Sequence, residues 1–150
     1  MSANKRINKD QYYLNIAREV SKRSTCLKRH YGAVIVNNDE IISTGYNGAP
    51  RGDENCCDRG SCPRISVEHN SGNYSNCCAV HAEMNAIISA SRKDMIGSTL
   101  YLYGEDVPNK INKNDNIVEI INPKPCPICE KLIKNAGIYI LINNKDHYYF

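Results

Sequence analysis

The chain has 150 residues, and folding at this size buries about two-thirds of the extended chain's surface, enough for a core that needs no disulfides. With 41% apolar and 23% charged residues and a mean hydropathy of −0.51, it reads as neither membrane-spanning nor disordered. A net charge of +3 suits a small anionic ligand and is too slight to argue for nucleic acid.

The N-terminal stretch holds no apolar run long enough for a signal peptide or a spanning helix, so the expectation is a cytoplasmic, non-membrane protein. Over residues 10–23 the apolar positions Tyr13, Ile16, Ala17 and Val20 follow helical spacing. Two β-rich runs, 32–36 and 41–46, flank Asn37-Asn38-Asp39-Glu40, which reads as a hairpin turn. Residues 47–78 are rich in Gly, Asn, Ser and Cys and lack periodicity; a loop of that length is functional or cross-linked.

A helix is expected over 80–91, with Ala82, Ala86, Ile87 and Ala90 on its apolar face, and a strand over 100–103. Residues 104–122 read as a polar turn with a short returning strand at 117–121. A helix over 126–135 stops at Gly137, and a strand follows at 138–142. The short link before His147-Tyr148-Tyr149-Phe150 permits an antiparallel return but no parallel crossover. The expectation is a single α/β domain over residues 1–150, with a mixed sheet of about five strands covered by helices.

His81-Ala82-Glu83 and Pro125-Cys126-Pro127-Ile128-Cys129, about 45 residues apart, each open a helix. Cys126 and Cys129 stand at i and i+3, so their sulfurs share one face of a helical turn. The helix N-terminus there favours thiolate over thiol. A neutral His81 supplies a third ligand, and three protein ligands leave one tetrahedral position of a Zn²⁺ ion open, as catalytic zinc sites do. Water there becomes acidic enough to attack as hydroxide. Glu83 is then the proton shuttle; its plain alternative is a first-turn acid that complements the helix dipole.

These motifs resemble the cytidine deaminase superfamily, and more closely its deoxycytidylate branch, over nearly the whole chain. Further carriers are Ser24-Thr25-Cys26, Gly32-Ala33-Val34-Ile35-Val36, Thr44-Gly45-Tyr46-Asn47-Gly48-Ala49-Pro50-Arg51-Gly52, His81-Ala82-Glu83-Met84-Asn85-Ala86-Ile87 and Asn135-Ala136-Gly137-Ile138. The resemblance implies a three-layer αβα fold with helices on both faces of the sheet, and hydrolysis of dCMP to dUMP and ammonia. It implies that Asn47 contacts the deoxyribose and that the backbone of Ala82 reads the pyrimidine edge. It places phosphate recognition on the basic residues before the first strand, Arg23, Lys28 and Arg29; their plain alternative is solvated surface. It also implies a homo-oligomer, with the hexamer expected, and dCTP and dTTP as effectors. The 104–122 segment departs from the family pattern, in which the third strand runs almost directly into the Pro-Cys-x-x-Cys motif.

Cys26, Cys56 and Cys57 match positions where some members hold a second, structural zinc. Cys62 with Cys77 or Cys78, and His69, are candidates to complete its ligands and tether the 47–78 loop. The alternative is free thiols, and zinc stoichiometry separates the two. Rival functions are a deaminase of CMP, a modified dCMP or single-stranded nucleic acid, and a non-catalytic nucleotide-binding zinc module. The absence of Trp and the low charge disfavour nucleic acid, and an intact Glu83 disfavours the module.

Overall fold

A computed structural model describes residues 5–62, 77–108 and 116–150. Helix α1 (Lys9–Ser21) is capped by Asn8, whose side chain accepts from the Gln11 N–H at 2.8 Å. It lies on strand β1 (Arg29–Asn37) at Gly32, where any Cβ would collide with the Ala17 carbonyl. The hairpin to β2 (Glu40–Tyr46) turns through Asn38 and Asp39, both at positive φ (51° and 62°), the backbone of a type I′ turn. Tyr13 of α1 donates its hydroxyl to Asp39 at 2.6 Å and locks that turn to the helix.

Inside the loop expected over 47–78, a single turn forms as α2 (Cys56–Arg59). The helix expected over 80–91 is two helices, α3 (Ala82–Ile88) and α4 (Arg92–Met95). The break falls where the Ser91 hydroxyl turns to the Asp94 carboxylate at 2.7 Å and starts the second helix, which tucks Met95 into the core. Strand β3 (Thr99–Asp106) is longer than its apolar centre suggests, because β1 pairs with it antiparallel along its whole length, from Arg29↔Asp106 to Val36↔Thr99. The returning strand expected at 117–121 is β4 (Val118–Glu119), antiparallel to Glu105–Asp106.

Helix α5 (Pro127–Ala136) ends at Gly137 with φ 85°, and β5 (Ile140–Ile142) then runs parallel to β3. The antiparallel return is β6 (His147–Tyr149). Among the described residues the sheet has six strands, in the order β2-β1-β3-β5-β6, with β4 on the far end of β3.

Alternation along the strands divides the apolar residues into two cores. Val34, Val36, Tyr101, Tyr103, Ile140 and Ile142 meet Tyr13, Leu14 and Ala17 of α1. Ala33, Ile35, Leu100, Leu102 and Leu141 meet Ala82, Ala86, Met95 and Ile133 from α3, α4 and α5. The result is a three-layer αβα arrangement, as the resemblance implies. Among the described residues, no helix is long and apolar enough to cross a membrane.

Candidate metal centre and active site

His81 is the N-cap of α3 and Cys126 the N-cap of α5, so two helix starts on the same face of the sheet aim their first side chains at each other. The His81 Nδ1 lies 3.2 Å from Cys129 Sγ and 3.5 Å from Cys126 Sγ. The ligand atoms of His81, Cys126 and Cys129 all lie within 4.8 Å of one another, and this is the one such trio of His, Cys, Asp or Glu among the described residues. Tetrahedral zinc, with bonds of about 2.3 Å to sulfur and about 2.0 Å to nitrogen, sets its nitrogen and sulfur ligands about 3.5 Å apart. The donor set therefore fits zinc in type and in spacing.

The two thiols behave as a pair. Cys126 is pulled down to about 3, first by its hydrogen bond with the Cys129 thiol and then by His81, while the Cys129 backbone N–H also points at its sulfur. Cys129 is pushed up by the same bond and by burial. The two shifts are opposite in direction, as for two thiols joined by one hydrogen bond, and a metal binds such a pair only as it loses protons.

Glu83, two residues past His81, is 5% exposed. Burial holds its carboxyl above the usual carboxylate range, and its side chain bonds to Cys129. A buried carboxyl with a raised pKa next to a metal trio has the acid–base character a proton shuttle needs.

Asn47 is buried, and its amide is largely occupied. Its Oδ1 accepts from the Ser24 hydroxyl at 2.6 Å and the Tyr31 N–H at 2.9 Å, and its Nδ2 donates to the Arg29 carbonyl at 2.9 Å. One amide proton is not used by these contacts. The Gly48–Val80 bridge ties the Asn47 segment to the segment that delivers His81. Ala82, wholly buried, opens α3 directly above Gly45, where a Cβ would collide with its carbonyl.

Of the basic residues, Arg23 and Lys22 stay exposed. Lys28 is half-buried. Arg29 is held by two partners: its Nε pairs with the Asp106 carboxylate at 2.8 Å, and its guanidinium donates to the Tyr31 hydroxyl at 3.2 Å.

Tyr31 was not singled out from the sequence. It packs against the core under α3, lies across Gly104, and is close enough to Glu83 to feel its charge. Burial pushes its phenol up to about 12. The signal for it was strand alternation: Ala33 and Ile35 face α3, so Tyr31 and Arg29 face the same way.

The remaining thiols gather in part. Cys56 and Cys78 place their sulfurs 3.1 Å apart, with the Arg59 guanidinium 3.6 and 3.8 Å away. Cys26 lies within electrostatic range of Cys62 and Cys77, and burial pushes both the Cys26 and Cys56 thiols up. Cys57 is exposed and turns to Asp58. His69 lies outside the described residues.

Residues 7–143 match the family described as the cytidine and deoxycytidylate deaminase zinc-binding region. The deoxycytidylate deaminase of Mycobacterium phage D29 is 37% identical over 142 residues, which cover 91% of this chain and 94% of that one. The deoxycytidylate deaminase of Saccharomyces cerevisiae is 37% identical over 139 residues, covering 87% of this chain but 43% of the yeast protein. A crystal structure of the dCMP deaminase from cyanophage S-TIM5, in complex with dCMP and dUMP, superposes with a TM-score of 0.59 at 26% identity over 92% of this chain and 83% of that one. The apo form of the same enzyme gives a TM-score of 0.63 at 25% identity, with 93% and 86% covered. By its matched length and these likenesses, the chain belongs to the cytidine and deoxycytidylate deaminase zinc-binding family.

Proposed function

We propose that this chain is a hydrolytic dCMP deaminase, in one domain, that turns dCMP and water into dUMP and ammonia. The observation that carries the reading is the buried Glu83 carboxyl bonded to the sulfur side of a His81–Cys126–Cys129 trio spaced for zinc. Relatives that bear the deoxycytidylate deaminase name, and a neighbour crystallised with dCMP and dUMP, support the choice of substrate.

His81, Cys126 and Cys129 would hold the zinc, and the chemistry it would supply is to make a bound water acidic enough to react near neutrality. Glu83 takes the proton from the attacking water and delivers it to the ring nitrogen beside C4. It then takes the second proton, from the hydroxyl now on C4, and hands it to the amine, which leaves as ammonia while the C4 carbonyl forms, so one carboxyl serves twice as base and twice as acid. The Ala82 backbone at the start of α3 reads the pyrimidine edge, and the unused amide proton of Asn47 contacts the deoxyribose. Tyr31 walls the pocket next to Glu83. Arg29, held in place by Asp106 and Tyr31, is the phosphate-side cation, with Arg23 and Lys28 as its neighbours in the chain.

The same reading includes a second, structural zinc among Cys26, Cys56, Cys57, Cys62 and Cys77 or Cys78, of which Cys56 and Cys78 stand together as a pair of sulfurs at 3.1 Å. It also includes a homo-oligomer, expected as a hexamer, and control by dCTP and dTTP, which the resemblance supports. A reducing cytoplasm is the compartment in which so many thiols stay available to metal.

The test is ammonia release from dCMP, CMP, deoxycytidine, cytidine and a single-stranded DNA oligonucleotide, each with and without dCTP. dCMP is expected to be turned over fastest by kcat/KM. Preference for an unphosphorylated nucleoside, or no release from any of them by zinc-loaded protein, overturns the reading.

A further inference from the structure

The ligand turn Cys126–Cys129 is reached through Asn122-Pro123-Lys124-Pro125, and both ends of that run are fixed. At its start, Asn122 sits at φ 60°. Its Oδ1 accepts from the Asn143 Nδ2 at 2.8 Å and from the Tyr148 hydroxyl at 2.6 Å. Asn143 also donates to the Pro123 carbonyl at 2.7 Å. The Asn122 N–H bonds to Asn144 Oδ1 at 2.8 Å, and the Asn144 amide donates to the Ile120 carbonyl at 2.9 Å.

The Asn143 side chain is 4% exposed and saturated: its Oδ1 accepts from the N–H groups of Lys145 and Asp146, both at 2.8 Å. One buried amide thus shapes the β5–β6 turn with its oxygen and grips the approach to the cysteines with its nitrogen. A buried amide with every partner in place is rigid, because any displacement strands a desolvated donor or acceptor.

Between this clasp and the sulfurs the chain is stiff. Pro123, Pro125 and Pro127 have φ fixed by their rings. Lys124 and Cys126, each preceding a proline, are confined to extended backbone; Cys126 is at φ −69°, ψ 166°. A short strut with few soft torsions passes the position of the clasp on to Cys126.

We propose that Asn143, with Asn122 and Tyr148, forms a clasp that positions the cysteine ligand turn, so that the C-terminal hairpin β5–β6 sets the geometry of the metal centre. Asn143 is a positioning residue: it touches neither substrate nor ligand atoms and acts through the proline strut. The proposal rests on the zinc reading given above.

Asn143→Asp keeps the two acceptor bonds within the turn and removes both donor bonds to the strut. Asn122→Gly keeps the positive φ and the Asn143 turn bonds but removes the strut's acceptor. For each, zinc affinity is measured by chelator competition, and the thiolate-to-metal absorption of the Co²⁺-substituted protein is recorded beside far-UV circular dichroism. Outer-shell changes at metal sites cost about 10–100-fold in affinity. The expected result is a loss of about tenfold or more in zinc affinity with a shifted Co²⁺ spectrum, in a protein of unchanged secondary structure. Tyr148→Phe, which removes one hydroxyl, shifts both in the same direction by less.

Unchanged affinity and spectrum in folded Asn143→Asp or in Asn122→Gly overturn the clasp. If Asn143→Asp fails to fold, Asn122→Gly alone decides. Wild-type protein that binds neither zinc nor Co²⁺ overturns the zinc reading instead, so the two failures are told apart.

Discussion

Glu83 carries two constraints at once: it opens a helix and it is sealed from water beside two sulfurs. Glu83→Gln keeps shape and hydrogen bonding but cannot move protons, so turnover of dCMP is expected to fall by at least about 10²–10⁴-fold while zinc content stays near wild type. Zinc content is read by metal analysis and turnover by ammonia release. Retained turnover would remove Glu83 from the proton path. These residues are legible in the sequence because an ion imposes their types and their spacing. Asn143 is not legible that way. Its partners, Asn122 and Pro123, lie 21 and 20 residues away, and an asparagine in a turn is ordinarily explained by the turn alone. Tyr31 lay between these cases, marked by alternation on β1 but lacking a motif.

At the level of elements, close approach of backbones decides which helix covers which strand. Gly32 lets α1 rest on β1, and Gly45 lets α3 rest on β2. Alanine at either position must push two backbones apart, with an expected cost of about 1–3 kcal/mol in urea unfolding. The α1 face also carries a pH signature. Hydrogen bonding to the Asp39 carboxylate pushes the Tyr13 phenol up to about 12. The folded state therefore holds that proton more tightly than the unfolded chain does. The stabilisation is complete below about pH 10 and is lost as pH rises through about 12. Tyr13→Phe is expected to be less stable by about 1–2 kcal/mol at neutral pH, with a weaker decline in alkali; an identical decline refutes the assignment. The helices and the hairpin were readable from periodicity and turn residues. The division of 80–91 into α3 and α4 was not, because it depends on Met95 finding the core and on a serine turned to Asp94.

For the molecule as a whole, two apolar cores on opposite faces of one sheet were implicit in strand alternation, and the short link after β5 dictated an antiparallel β6. The returning strand β4 was implicit too, but not its extent: it pairs through two residues, Val118 and Glu119, at the end of β3. Removing a ligand that binds only the folded state lowers stability by mass action. Zinc at about a hundredfold over its Kd gives about 2.7 kcal/mol, and stripping it with a chelator is expected to lower Tm by about 5–10 °C for a chain of this size. An unchanged Tm would mean that the ion contributes nothing to the fold.

His81 precedes β3 while Cys126 and Cys129 follow it, so the trio spans 45 to 48 residues of sequence. During synthesis, a nascent polypeptide that has extruded only residues 1–100 presents a lone imidazole, with nothing else to chelate at that centre. Capture of the metal there must await synthesis of the Cys126–Cys129 turn, which makes ion loading a late act of biogenesis and leaves products truncated before that turn blind to zinc supply at this centre.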